Sequence, residues 1–145
     1  MPDVPSLPFL LHIAYRDAET RIFEAVRASG VVGFTTAQAR IGQGIDEEGT
    51  RLSVLAERAG VAKQTATALV DRLEAGGFVE RVADPSDGRA RLVRMTDRGR
   101  RLVPVARAEE QAIERDWEAH LGPDLMASLR EALTRLREIA DPWAP

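Results

Sequence analysis

Apolar residues recur every three or four positions along most of this chain, which is the period of an amphipathic α-helix. A first stripe of this kind begins at Leu7 and predicts a helix over residues 6–29, with Ser6 as its N-cap. A second and shorter stripe predicts a helix from about Thr35 through Ile41. The N-terminal part of the chain is therefore expected to be helical.

The next two apolar stripes lie close together and predict a helix-turn-helix. The first of these helices is expected to be capped by Ser53 and closed by Gly60. The second is expected to span residues 62–75 and to stop at the Gly-Gly pair that follows it. Residues 60–62 alone join the two helices, and so short a connection is typical of a helix-turn-helix.

After this second helix the period shortens to that of β-strands. Short apolar segments at residues 78–82 and 92–95 flank the sequence Asp84-Pro85-Ser86-Asp87-Gly88, which consists of turn-forming residues. This combination predicts a β-hairpin directly after the helix-turn-helix. A hairpin in this place is called a wing.

Two long helices are predicted after the hairpin. Thr96 caps the first, which runs to about Leu121 with a kink or a restart at Pro104. A final amphipathic helix covers residues 125–140. The fold is thus expected to be mainly α with a small β-wing: a winged helix-turn-helix flanked by long N- and C-terminal helices. The terminal helices carry more apolar surface than a small winged domain needs, so a second copy of the chain is expected to bury it.

Composition excludes several kinds of chemistry. The 145 residues include no cysteine, which rules out disulfides, cysteine-based zinc sites and thiol redox sensing. The histidines, His12 and His120, belong to no ligand-spaced cluster, so no metal site is predicted. Without a glycine-rich phosphate loop or an obvious serine-histidine pair, we expect neither an enzyme nor a bound cofactor. No signal peptide and no membrane-spanning run is recognisable, so a cytoplasmic protein without membrane contact is expected.

The charge of the chain is unevenly distributed. The net charge is −3, yet residues 50–103 carry 11 basic and 7 acidic side chains, whereas the remainder carries 9 and 16. A basic middle in an acidic protein is what local contact with nucleic acid would leave, although charge also varies along chains without functional meaning. Charge alone leaves both interpretations open.

The helix predicted over residues 62–75 separates into an apolar face and a short polar face. Leu69, Val70 and Leu73 face inward, and the outward face has few carboxylates in its first two turns. Glutamine, threonine, lysine and arginine on such a face can contact base edges or phosphates. We interpret it as a DNA recognition helix, against the alternative of an ordinary solvated face. The candidate contacts are Lys63, Gln64, Thr65, Thr67, Ala68 and Arg72.

The hairpin is unusually rich in arginine. On it or just beyond it lie Arg81, Arg89, Arg91, Arg94 and Arg98. A wing beside a recognition helix can place an arginine in the neighbouring minor groove, whose negative potential is deep where it is narrow. The tip residue Arg89 is the candidate for this contact. Arg81 and Arg91 are expected to meet the phosphate backbone or Asp87, whose carboxylate is expected to hold a nearby guanidinium, and Arg94 and Arg98 to remain solvated.

The segment from Leu52 to Gly99 resembles the winged helix-turn-helix of the MarR (multiple antibiotic resistance regulator) family. The matching pieces are LAERAGV, LVDRLEAGGFVER, DPSDGR and the closing MTDRG. The resemblance implies a recognition helix over residues 62–73 and a wing over residues 81–95, with Arg89 as the wing-tip contact and Asp87 as its partner. Pro104 departs from the family pattern because it interrupts a helix that is commonly continuous.

The resemblance also implies a function. It implies a homodimeric transcriptional regulator, usually a repressor, that binds a pseudo-palindromic site on double-stranded DNA and is often released by a small aromatic or anionic ligand. Residues 1–45 and 97–145 would form the helical dimerisation region, and residues 46–96 the DNA-binding domain. The alternative is a winged helix that contacts only other proteins.

An effector site, if the chain has one, is expected beside the first helix. His12, Tyr15 and Arg16 lie on that helix and could line a pocket, and Trp117 could close it. The alternative is that Trp117 belongs to an interface core and that His12 is an ordinary helix histidine. The effector itself is unknown.

Overall fold

A computed structural model describes residues 4–31 and 33–143. In that part of the chain the elements are, in order, α1 (Leu7–Ala28), α2 (Thr36–Gln43), α3 (Leu52–Ala59), α4 (Lys63–Ala75), β1 (Val79–Asp84), β2 (Asp87–Met95), α5 (Asp97–Arg100), α6 (Leu102–Leu121) and α7 (Pro123–Ala140). The mainly α architecture with a two-stranded wing is therefore confirmed. The chain divides into two compact units, and the boundary lies between Arg107 and Ala108.

The core of the first unit is built by α2, α3, α4 and the hairpin. Its largest fully buried side chains are Ile41, Leu55, Val70 and Leu73. Because Ile41 lies on α2, this core begins before residue 46. The division of the chain into dimerising and DNA-binding regions remains a prediction.

The helix starts follow the predicted caps with one exception. The Ser6 hydroxyl accepts the amide of Phe9 at 3.4 Å, and Thr35 forms a reciprocal capping box with Gln38. The prediction that Ser53 caps α3 is wrong. The N-cap is Arg51, which makes no capping hydrogen bond, and Ser53 lies inside the helix. The chain stays extended up to Arg51 because the backbone of the preceding residue is bonded to the hairpin.

That bond adds a short third segment beside the wing. The amide of Thr50 donates to the carbonyl of Val93 at 2.9 Å, and the amide of Val93 returns a bond of the same length. Within the hairpin, β1 and β2 are antiparallel, with Val79 opposite Met95 and Asp84 opposite Asp87. The turn is therefore shorter than predicted.

The predicted interruption near Pro104 is confirmed, although it lies a few residues earlier. Helix α5 ends at Arg100 and α6 starts at Leu102. A proline ring clashes with the carbonyl four residues before it, which for Pro104 is that of Arg100, so the helix breaks there. Thr96 caps α5 as predicted and accepts the amide of Gly99 at 3.3 Å.

Gly99 allows a close approach between α5 and the start of the hairpin. A Cβ atom at this position would lie 2.2 Å from the carbonyl oxygen of Phe78. That carbonyl accepts the amide of Thr96 at 3.0 Å, so the contact ties the end of β2 to the beginning of β1. Only glycine fits here without moving the backbone.

The second unit contains most of α6 and all of α7. Gly122, with a φ of +86°, separates the two helices, and Arg130 on α7 donates to Glu114 on α6 at 2.7 Å. The exposed large apolar residues of α7 are Leu125, Leu133, Leu136 and Ile139. Across the described residues, no helix is both long enough and apolar enough to span a membrane.

Candidate nucleic-acid interface

Helix α4 has the two faces that its sequence predicts. Ala66, Leu69, Val70 and Leu73 are buried, as the 3.6-residue period requires. The predicted contact residues are exposed, except for the half-buried Thr67. The Thr67 hydroxyl donates to the carbonyl of Lys63 at 2.9 Å. Its proton is therefore already used, and its methyl group is the part of the side chain that would contact a base.

The first turn of α4 is open. Its N-cap is Ala62, which has no side-chain acceptor for the free amide groups of the turn. Those amides and the positive end of the helix dipole favour an anion such as phosphate. The side chains of Lys63, Gln64 and Thr65 surround this end of the helix and are exposed.

Arg81 occupies a different place from the one expected. Its guanidinium donates to Asp71 at 2.7 Å and to Glu74 at 2.9 Å, both on α4, and only 23% of its side chain is exposed. Because both terminal nitrogens of its guanidinium donate to carboxylates, Arg81 is not available to the phosphate backbone. Arg81 instead neutralises two acids near the recognition face and ties β1 to α4.

The turn of the wing is organised around a buried carboxylate that sequence reasoning missed. Asp84, 7% exposed, accepts the backbone amide of Ser86 at 2.8 Å and the Ser86 hydroxyl at 2.7 Å. Arg51 donates Nε and Nη2 to the same carboxylate at 2.9 and 2.8 Å. The bonds from Ser86, followed by those from Arg51, lower the pKa of Asp84 to about 2.

The guanidinium near Asp87 belongs to Arg51, not to Arg89. Nη2 of Arg51 lies 3.9 Å from Asp87, whereas Asp87 accepts the backbone amide of Arg89 at 3.1 Å. Asp87 therefore orients the chain at the tip and leaves the Arg89 side chain exposed. The expected pairing of Asp87 with the Arg89 guanidinium is not present.

The two arginines at the base of the hairpin have structural contacts, contrary to the expectation that they stay solvated. Arg94 donates to Glu80 on the opposite strand at 2.6 Å. Arg98 donates to the carbonyl of Gly76 at 2.6 Å, and its guanidinium lies 4.4 Å above the ring of Phe78. The first contact joins the two strands of the hairpin, and the second joins α5 to the end of α4.

Four basic side chains of α4 and the hairpin remain without a partner. Lys63, Arg72, Arg89 and Arg91 are exposed, and their side chains have no ion pair or hydrogen bond in the described part of the chain. These four side chains form what we call the cationic set. Lys63 and Arg72 lie on the outward face of α4, and Arg89 lies at the tip of the wing. Arg91 lies on β2 beside the tip.

A groove elsewhere in the first unit contains three of the four predicted effector residues. His12, Tyr15 and Arg16 line it together with Glu19 and Arg40. Arg40 donates to Glu19 at 2.5 and 2.9 Å, and this bonding lowers the pKa of Glu19. Partial burial and the Glu19 carboxylate raise the pKa of Tyr15.

The fourth predicted effector residue and the possibility of a metal site remain to be described. Trp117 is half-buried on α6 in the second unit, and its part in effector binding remains a prediction. In residues 4–31 and 33–143, no three histidine or acidic side chains come together as a metal site would require.

Comparison with known proteins finds a match to one family model. The model of the MarR family matches residues 32–90, a segment that contains α2, α3, α4, β1 and the tip of the wing. Over these residues the chain is similar to the MarR family. Members of this family are winged helix-turn-helix transcriptional regulators, and the resemblance noted between Leu52 and Gly99 is thereby confirmed.

Solved structures of other proteins share the architecture of this chain. A crystal structure of MarR is 29% identical, covers 94% of this chain and 98% of its own, and has a TM-score of 0.75. CouR from Rhodococcus jostii RHA1, solved with bound p-coumaroyl-CoA, is 25% identical, covers 97% of this chain and 95% of its own, and has a TM-score of 0.71.

A curated sequence relative gives a shorter match. YdgJ, an HTH-type transcriptional regulator of Bacillus subtilis (strain 168), is 28% identical over 85 residues. The matched segment is 59% of this chain and 52% of the relative, so it spans about half the length of that protein.

Proposed function

We propose that this protein is a homodimeric MarR-family repressor that binds a pseudo-palindromic DNA operator. The observation that carries the proposal is the pairing of charges on α4 and the hairpin. All five carboxylates between residues 63 and 95 lie within ion-pair distance of an arginine, and none of those arginines belongs to the cationic set. The surface therefore presents uncompensated positive charge although the whole chain is acidic.

This pairing separates structural arginines from those available to a ligand. Arg51, Arg81 and Arg94 bind carboxylates, whereas Arg72 and Arg89 do not. Phosphate contacts from free cations would position the protein on the duplex, and Gln64 on the outward face of α4 would contact base edges. The arrangement supports DNA as the ligand more than an acidic protein, because the cations sit on a helix and a wing of groove-binding shape.

Exposed apolar helices support the homodimer. In the first unit, α1 exposes Leu7, Leu10 and Leu11, with between 43% and 75% of each side chain accessible. In the second unit, α7 exposes Leu125 and Ile139. Monomeric proteins rarely leave apolar patches of this extent uncovered, and a twofold partner would bury them. A dimer would also present two recognition helices to a two-part site.

The groove beside α1 supports relief of repression by a small ligand. Tyr15 offers an aromatic surface there, and His12 and Arg16 offer exposed basic groups. The related CouR binds p-coumaroyl-CoA, an aromatic anion. An aromatic or anionic effector would match these side chains, with Arg40 already bound to Glu19.

Selection of bound duplexes from a random pool tests the proposal. A DNA-binding dimer should recover a motif with twofold symmetry and half-sites roughly one helical turn apart. Affinity for that motif should fall steeply as salt rises. Absence of any bound duplex at low salt would contradict the proposal and favour the winged-helix module that contacts only proteins.

The dimer and the effector have their own measurements. Sedimentation at micromolar concentration should give the mass of two chains. Titration of the protein–DNA complex with p-coumaroyl-CoA and with p-coumarate should release DNA, and Arg16→Ala should weaken release without weakening DNA binding itself. If neither compound nor any related aromatic acid alters binding, effector control through this groove is contradicted while the DNA-binding proposal stands.

A further inference from the structure

Arg51 stands where a helix normally has a small polar residue. The N-cap of a helix favours serine, threonine, aspartate or asparagine because their side chains accept a free amide of the first turn. Arginine cannot accept a hydrogen bond, and α3 consequently has no side-chain cap. Loss of a cap destabilises a helix, so the arginine needs another explanation.

The explanation offered by the structure is a contact with the wing. The Arg51 side chain reaches from the start of α3 to Asp84, at the end of β1, with donor–acceptor distances of 2.8 and 2.9 Å. Directly before it, the backbone of Thr50 is bonded to Val93 on β2. The hairpin is thus attached to the start of α3 at two points, one on each strand.

The second attachment lies close to the tip. Val93 is opposite Arg81, and Asp84 is three residues further along β1, which is about 10 Å at the usual rise of a strand. Asp84 also holds Ser86 inside the turn through two hydrogen bonds. Arg51 therefore fixes the part of the hairpin that the backbone bridge does not reach.

Arg51 also decides the charge of the tip. Asp84 and Asp87 face each other across the turn, and Arg51 is the basic side chain within 4 Å of both. Without it, the two carboxylates would face only the free cations Arg89 and Arg91, and the charges of these four groups would sum to zero. With Arg51 the sum is +1, which favours an approaching phosphate.

We propose that Arg51 is a positioning residue for DNA binding: it anchors the wing turn to the start of α3 and offsets part of the negative charge of its two aspartates, so that Arg89 is presented to the groove. This inference rests on the proposed DNA-binding function. It assigns to Arg51 no contact with a base. Its effect on DNA passes through Asp84, Asp87 and the backbone of the turn.

The sharpest test is Asp84→Asn. Removal of a negative charge near DNA should strengthen binding if charge alone matters. If Asp84 serves as the anchor for Arg51, the same substitution should weaken binding to the selected operator. We expect a loss of about tenfold, equivalent to about 1.4 kcal/mol. An affinity equal to or above that of the wild type would overturn the proposal.

Arg51 itself is tested by two substitutions and a matched control. Arg51→Gln should lose about as much affinity as Asp84→Asn, and Arg51→Lys should recover part of it because it restores the charge but not the forked geometry. Arg94→Gln is the control, since Arg94 makes a comparable ion pair within the hairpin, away from the turn. Equal losses for Arg51→Gln and Arg94→Gln would show a general effect on the fold and refute the specific role.

A double-mutant cycle separates positioning from direct phosphate contact. If Arg51 acts through Arg89, Arg51→Gln should change affinity little in an Arg89→Ala background. If it contacts phosphate, the two losses should add, and the slope of affinity against salt should fall by about one unit for Arg51→Gln. Additive losses therefore contradict the proposal.

Amide hydrogen exchange tests the anchor without DNA. Arg51→Gln should raise the exchange rate of the Ser86 and Arg89 amides, while the amides of α4 stay protected. Unchanged exchange at the turn would refute the anchor. Because this measurement needs no DNA, it also decides the proposal should the wild-type protein bind no duplex, an outcome that would contradict the DNA-binding function separately.

Discussion

The contacts of Arg81 lead to a prediction that distinguishes two roles for the same residue. Sequence reasoning expects Arg81 to touch the DNA backbone or Asp87, whereas the structure pairs it with Asp71 and Glu74 on α4. The informative change is Arg81→Gln, which removes the charge and keeps most of the side-chain length. The two roles predict losses of operator affinity that differ in size.

The structural role predicts a small loss. Asp71 follows Gln64 by seven residues, so it lies on the same face about 10 Å further along the helix. At that distance an unmasked carboxylate repels one phosphate by about 0.4 kcal/mol in water, and salt at physiological strength reduces this further. Glu74 lies a turn further away. We therefore expect Arg81→Gln to weaken binding only about two- to threefold.

Direct phosphate contact predicts a larger loss and a second signature. A single lost contact typically costs about 1–3 kcal/mol, or tenfold and more, and lowers the salt slope by about one unit. Binding would be measured by fluorescence anisotropy at several salt concentrations, with Arg89→Gln as the matched variant that should show the large loss. A loss above tenfold for Arg81→Gln together with a lower slope would refute the structural role.

The stability of the protein supplies an internal check on this variant. Ion pairs between partly exposed groups each contribute about 0.2–1 kcal/mol. Both partners of Arg81 are more than two-fifths exposed, so the two pairs together should be worth about 1 kcal/mol. Chemical denaturation should show a loss of this order for Arg81→Gln, and adding Asp71→Asn and Glu74→Gln should bring operator affinity back to the wild-type level. An unchanged free energy of unfolding would contradict the assigned pairs.

Three further predictions concern the helix, the hairpin base and the turn. Gln64→Ala should alter the preferred base at one position of each half-site in competition assays, and a uniform loss across unrelated duplexes would mark a backbone contact instead. Gly99→Ala should lower the thermal midpoint by the equivalent of about 2 kcal/mol, because its Cβ would lie 2.2 Å from the Phe78 carbonyl oxygen; Gly88→Ala, which meets nothing within 4 Å, should be neutral, and equal midpoints would contradict this account. Asp84 has a folded pKa of about 2, below its ordinary 3.8, so its contribution to stability is complete above the unfolded pKa and disappears as pH falls through the folded value. In urea denaturation, Asp84→Asn should therefore reduce the fall in the free energy of unfolding at acid pH. A fall as steep as that of the wild type would show that other groups cause the acid sensitivity.

The elements of this fold could be predicted because their signals are local. The apolar period identifies α1, α4 and α7, serine and glycine mark several of their ends, and the turn residues around Pro85 locate the hairpin. The outward face of α4 follows from the same period, since burial of Leu69 and Leu73 fixes which side chains remain exposed. Each of these inferences involves residues only a few positions apart.

The partners of the arginines could not be predicted in this way. Arg51 and Asp84 are separated by 33 positions and Glu19 and Arg40 by 21, and only tertiary packing brings them together. The sequence also places a capping serine two residues after Arg51, and local propensity favours that serine. The backbone bridge between Thr50 and Val93 overrides this preference by holding the chain extended until the helix begins.

These pairings explain how an acidic protein can bind DNA. Net charge counts every ionised group, but a neighbouring molecule responds to charges within about one Debye length, roughly 8–10 Å. Close to α4 and the wing, every carboxylate lies within ion-pair distance of Arg51, Arg81 or Arg94, and these three arginines together with the cationic set give seven positive charges against five negative ones. Arginine suits the balancing role because its fork can bridge two carboxylates, as Arg81 does, or give two bonds to one, as Arg51 does. A lysine at either place would leave one of these bonds unmade, so Arg-to-Lys exchange here should weaken DNA binding although the net charge stays at −3.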